Sequence, residues 1–165
     1  MRVYVPLTLP GLAEAYGTGG LAAGPFLAYA VTPALREWYR SEDTEELEYA
    51  ALNRAALGSL RLLAADPGAA GRRVVVAVDV PDGTVAADPD APGEVRVSGS
   101  AALAKAASVH VDAGDAEADV RAAAAALVAA DGGDGGAQSV VDGAEDHELL
   151  WYATQEIPNL VGAGV

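Results

Sequence analysis

The chain opens with apolar and polar positions in alternation: Val3, Val5 and Leu7 interleave with Arg2, Tyr4 and Pro6. A period of two sends successive side chains to opposite faces, so this segment predicts a half-buried first strand. Leu9 to Tyr16 predicts a short helix closed by Gly17-Thr-Gly-Gly20, and Phe26 to Val31 predicts a second strand. Thr32-Pro33 predicts a helix start, because Thr supplies a capping oxygen and Pro at the first helical position loses no needed N–H. Leu35, Trp38 and Tyr39 share one face of that helix.

The longest helix is expected from Thr44 as its cap, with Glu45 and Glu46 at the positive end of its dipole. Tyr49, Leu52, Ala56, Leu60 and Leu63, at spacings of three and four, mark its inner stripe, and Asp66-Pro67-Gly68 ends it. Val74 to Val80 is apolar at every position but Asp79, the pattern of a central strand covered on two sides. Residues 81–93, rich in Asp, Gly and Pro, and 131–143, rich in Gly and Asp, predict mobile acidic loops. Between and after them, Glu94 to Ser98 predicts an edge strand, Ser100 to Lys105 a helical turn, and Ser108 to Asp112 another strand. Ala116 to Ala130 predicts a helix facing inward with Val120, Ala123, Ala124 and Leu127. His147 to Tyr152 predicts the last strand, with His147, Leu149 and Trp151 opposite Glu148, Leu150 and Tyr152. Thr154 then caps a short terminal helix, where Pro158 fits the first turn.

The resulting order, βαβααββ, a turn, then βαβα, predicts an α/β (α+β) fold in a single domain over residues 1–161, with residues 162–165 as a disordered tail. One mixed sheet of about six strands with helices packed on it is expected, its crossovers right-handed and several neighbours parallel. Two fused ferredoxin-like halves are the alternative arrangement.

Composition narrows the chemistry. Much of the 52% hydrophobic share is Ala, with one Phe and one Met, so the core is expected to be finely divided. The chain has no Cys, which removes disulfides, thiolate catalysis and Cys-based metal clusters. A formal charge of −14, from 24 acids against 10 Lys and Arg, opposes binding to nucleic acid or an anionic membrane surface. No apolar run approaches the roughly 20 residues of a membrane span. The first apolar stretch, broken by Pro6 and Pro10, is too short for a signal peptide, and a cytoplasmic location is expected. Lys105 stands in an Ala context rather than a phosphate-binding loop, and no Gly-x-Ser-x-Gly elbow occurs. The segments Asp88–Gly99 and Asp131–Asp142 imitate calcium loops, but both carry Gly where ligands belong.

Four segments carry a resemblance: Arg2-Val-Tyr-Val-Pro-Leu-Thr, Ala30-Val-Thr-Pro-Ala-Leu-Arg-Glu, Asp43-Thr-Glu-Glu-Leu-Glu-Tyr and Ala144-Glu-Asp-His-Glu-Leu-Leu-Trp-Tyr. Together they resemble an actinobacterial family of small uncharacterised proteins, a domain of unknown function, over almost the whole chain. The resemblance implies a cytosolic bacterial protein and brings no activity and no catalytic residue.

Chemistry-bearing side chains concentrate between Gly143 and Leu160, where one of two His and one of two Trp lie. The catalytic candidates are His110 and Asp112 on one expected strand and His147 and Glu148 on its expected neighbour. Were the two imidazoles to share a sheet face with an acid, a divalent-metal or acid–base site would follow. Tyr4, Tyr29, Trp38, Tyr39 and Trp151, with Arg36 and Gln155, are the candidate binding surface, because aromatics and Arg supply strong contacts. No complete reactive constellation is legible, and neither a metal nor a cofactor is expected. The leading expectation is a non-enzymatic cytosolic binding or regulatory accessory domain for an unknown protein or small molecule. The alternative is a small hydrolase or metal-assisted enzyme using His110, His147 and nearby carboxylates. Homo-oligomerisation through a sheet edge or Trp38-Tyr39 is a further possibility.

Overall fold

The computed structural model describes residues 1–162; the rest of the expected tail lies outside the described residues. In chain order the elements are β1 (Arg2–Leu7), α1 (Leu9–Thr18), β2 (Gly20–Ala22), β3 (Phe26–Tyr29), α2 (Pro33–Tyr39), α3 (Thr44–Ala65), β4 (Val74–Asp79), β5 (Val85–Ala87), β6 (Glu94–Val97), β7 (Ala101–Ala102), β8 (Ala106–Val111), α4 (Glu117–Asp131), α5 (Gly135–Glu145), β9 (Leu150–Tyr152) and α6 (Ile157–Leu160). The fold is α/β, with helices on a seven-stranded sheet of order β5-β6-β3-β1-β4-β8-β9, and β2 and β7 form a separate pair.

Every neighbouring pair in the sheet is antiparallel, which corrects the parallel neighbours expected from the crossovers. β3 and β4 do run in the same direction, but β1 lies between them and opposes both. β8 and β9 are joined by two helices rather than one. A helical hairpin brings the chain back to the end of the sheet it left, so β9 enters antiparallel to β8.

The second of those helices, α5, occupies most of the segment read as a loop. Asp134 caps it by accepting from the Ala137 N–H at 3.0 Å, and Val141 and Ala144 are buried beneath it. The segment 81–93 likewise holds more than a loop: a 3-10 turn at Asp82–Thr84 and the strand β5, which pairs with β6 and takes the edge position expected of Glu94–Ser98.

Alternation sorts the sheet's two faces. Val3, Val5, Val74, Val76, Val78, Val109 and Val111 point to a core closed by Leu12 of α1, Leu21, Ala101 and Ile157. Tyr4, Val75 and Ala77 point the other way, under Leu35 of α2 and Leu47, Ala51 and Ala55 of α3. β4 is thus covered on both faces, as its unbroken Val run requires. A third core joins Leu60 and Leu63 of α3 to Val120, Ala123 and Leu127 of α4 and to α5.

Asp43, not Thr44, caps α3, accepting from the Glu45 and Glu46 N–H groups at 3.0 and 3.4 Å. Of its expected stripe Ala56, Leu60 and Leu63 are buried, Leu52 is half-buried and Tyr49 is exposed, and the buried face also takes in Leu47, Ala51, Ala55 and Ser59. Gly58 permits close approach: a Cβ there would stand 3.1 Å from Pro6 Cγ and 3.3 Å from Tyr29 Cε2. The buried Ser59 hydroxyl donates to the Leu7 carbonyl at 2.6 Å and accepts from the Val74 N–H at 2.9 Å, tying α3 to two strands. Among the described residues, no helix is long and apolar enough to cross a membrane.

Candidate functional site

Antiparallel register builds one row of side chains across the sheet under α3: Tyr29 opposite Tyr4, Tyr4 opposite Ala77, Ala77 opposite Ser108. The next row runs Pro6, Val75, His110, Trp151. Ala77 and Ser108 are small, whereas Tyr4, His110 and Trp151 stand tall around them. That size step leaves a hollow of about 300 Å³, roofed by Glu48, Tyr49 and Leu52 of α3 and closed at one end by Arg2.

Hydrogen bonds fix the walls. Tyr4 Oη lies 3.4 Å from Glu48 Oε2, and the Tyr49 hydroxyl donates to Glu148 Oε1 at 3.1 Å, linking α3 to the segment before β9. Arg2 makes two 3.2 Å bonds to the Asp79 carboxylate, so its charge is matched across the strand pair. The Ser108 hydroxyl is 3.0 Å from His110 Nε2. Burial lowers the His110 pKa below its ordinary value, which keeps the ring neutral at pH 7. Burial, then the neighbouring Glu48 charge, pushes the Tyr4 hydroxyl up to about 12. Trp151 stands at the outermost strand with 63% of its surface exposed.

The cleft therefore gathers Tyr4, His110 and Trp151 from the expected candidates, with Glu148 at its rim. Arg2, Glu48, Tyr49, Leu52 and Ser108 complete it and were not singled out by sequence. Ser108-x-His110 could have been, since residues two apart on a strand share a face.

Other candidates lie elsewhere. His147 is not in a strand, because β9 begins only at Leu150, so the alternation proposed for residues 147–149 does not apply. Its Nε2 lies 2.7 Å from Asp119 Oδ2 of α4. It lines a separate groove of about 400 Å³ with Arg54, Arg73 and Tyr39, so the two imidazoles do not share a hollow. Among the described residues, no group of three or more His, Asp or Glu is placed to hold a metal ion.

Asp112 is fully buried in a salt bridge with Arg73, which is itself 4% exposed. Its carboxylate accepts from Arg73 Nε, Nη2 and backbone N–H, each at 2.8 Å, and Nη2 also donates to the His147 carbonyl at 2.9 Å. Three donors on one carboxylate, with no exposure to solvent, make Asp112 a structural anion between β4, β8 and the approach to β9.

The expected convergence of aromatics is only partial. Trp38 is 67% exposed beside Arg40, Pro89 and Pro92, away from the cleft, and Tyr39 borders the His147 groove. Arg36 is exposed on α2, and Gln155 is exposed in the 3-10 turn Thr154–Glu156. Tyr29 is half-buried against the core under α3.

Neither a curated protein nor a solved structure matches the chain. A family model does, across residues 1–161, and the chain belongs to the family of unknown function DUF6912.

Proposed function

We propose that this is a non-enzymatic, cytosolic binding domain whose recognition site is the cleft over His110. One observation carries the reading. An indole 63% exposed stands at the sheet's last strand, opposite His110, over a hollow whose tyrosyl walls are held by carboxylates. Exposed Trp and Tyr on rigid elements contribute strongly to interfaces, because their rings bring large contact area with few rotamers to immobilise.

The test compares wild type with Trp151→Ala in affinity purification from the native cell, followed by chemical-shift mapping with whatever is retained. A partner kept by wild type, lost by the variant, and shifting the amides of Ala77, His110 and Tyr49 supports the reading. Identical retention by both proteins refutes it.

The Ser108–His110 bond favours a second reading, hydrolysis with Ser108 as nucleophile and His110 as base. Such a pair needs a third group to orient the imidazole, and among the described residues no acid hydrogen-bonds His110. Ester turnover abolished by Ser108→Ala would establish that activity; turnover unchanged by it would reject the pair as its source.

A further inference from the structure

The cleft's charge and ring content say more than that something binds. Three carboxylates, Glu48, Asp79 and Glu148, stand at or beside it against one guanidinium, Arg2, which Asp79 already engages twice. The remaining two carboxylates, Glu48 and Glu148, each accept from a tyrosyl hydroxyl, of Tyr4 and Tyr49 respectively. Tyr4, Tyr49 and Trp151 present rings to the same hollow. Ring faces carry negative electrostatic potential, so a cation between them gains from the rings and from the carboxylates together. An anion would meet the opposite of both. The chain's net charge of −14 adds a long-range field that draws cationic partners and repels acidic ones.

Position selects between a free cation and a polypeptide. β9 is the terminal strand, with Leu150 and Trp151 exposed along it, so an extended segment has a sheet edge to lie against while one side chain enters the hollow. We infer that the cleft receives an arginine or lysine side chain from an extended, basic segment of a partner protein. This inference rests on the cleft being the recognition site.

The experiment uses the full chain carrying Trp38→Phe, so that Trp151 alone reports by fluorescence. The probe is an extended peptide of alternating arginine and glycine. Its controls are the same peptide with citrulline for arginine, and arginine amide as the free cation. At low salt the arginine peptide is expected to bind on the order of tenfold more tightly than the citrulline peptide, the loss of cation–ring and carboxylate contacts together. It is also expected to exceed arginine amide. Glu48→Gln with Glu148→Gln should weaken it on the order of tenfold, whereas Glu45→Gln with Glu46→Gln, on α3 but outside the cleft, should cost no more than about twofold.

Equal weakening by both double variants would show diffuse electrostatics and overturn the inference, as would equal binding of the citrulline peptide. Arginine amide matching the peptide would overturn the polypeptide partner. A native partner lost with Trp151→Ala yet indifferent to Glu48 and Glu148 would overturn the cationic assignment alone and leave the cleft reading standing.

Discussion

Asp112→Asn isolates the buried ion pair, because the amide keeps the shape of the carboxylate and removes its charge. In the folded protein Asp112 is wholly buried and accepts three 2.8 Å bonds from Arg73. The variant leaves the Arg73 guanidinium buried with no counter-charge, and turns an –NH2 toward one of Arg73's own donors. Breaking a buried pair from one side costs about 3–5 kcal/mol, far above an exposed pair's worth, because the surviving ion keeps its desolvation penalty. Set against a typical stability of about 5–15 kcal/mol, that is a large fraction. At roughly 2–4 °C per kcal/mol for a domain of this size, Tm should fall by about 6–20 °C. Urea unfolding followed by far-UV circular dichroism measures it, with an unchanged m-value confirming that the denatured state is the same.

The double variant Arg73→Met with Asp112→Leu sharpens the reasoning. It removes both charges, and well-packed apolar replacements for a buried pair are often near neutral. Here, however, the Arg73 backbone N–H loses its acceptor and the His147 carbonyl loses its donor. Each orphaned group costs about 1–3 kcal/mol. The double variant should therefore also be destabilised, by about 2–6 kcal/mol, comparable with Asp112→Asn although no charge is left buried. A loss below about 1 kcal/mol for Asp112→Asn would refute the claim that this pair holds the sheet end to the approach to β9.

Two more expectations concern the cleft wall and α5. NMR titration of the His110 ring should give a midpoint below its ordinary 6.5, because burial opposes the charged form. The unfolded chain then takes up that proton at higher pH than the folded one. The His110 contribution to stability is accordingly complete above pH 6.5 and lost as pH falls from there through the folded value; His110→Gln should remove that slope. Asp134→Ala removes the α5 cap and should cost about 1 kcal/mol, seen as faster amide exchange at the start of α5, whereas unchanged exchange would deny the cap a role.

The α5 segment shows why part of the fold resisted reading. Gly132, Gly133, Gly135 and Gly136 each disfavour helix by up to about 1 kcal/mol relative to Ala, and four together read as a loop. Yet Gly132 and Gly133 only make the turn after α4, Ala137, Val141 and Ala144 lie at helical spacing behind a capping Asp134, and burial against α4 overrides Gly135 and Gly136. One missed helix had a second effect, since a single crossover implies parallel strands and a helical hairpin implies antiparallel ones. The short strands β2 and β7, three and two residues long, offer too few positions for a period to show. Of the candidate site, Tyr4 and Trp151 were legible as members of one aromatic surface, but His110 was not legible as their neighbour. Their meeting depends on register between strands far apart in sequence, and Trp38, on α2, lies instead beside Arg40, Pro89 and Pro92.

What the order of residues determined alone was the alternation of β1, the doubly apolar run of β4, the helical stripes of α3 and α4, and the net charge of −14. Those features follow from the side-chain period of each element and from summed charge, neither of which needs a neighbour. The tertiary structure decided which strands adjoin, that Asp112 lies in the interior with Arg73, and that Ala77 and Ser108 leave a hollow between Tyr4 and Trp151. Each of those depends on cross-strand register and helix packing, where a shift of one residue would turn the same side chains to the opposite face.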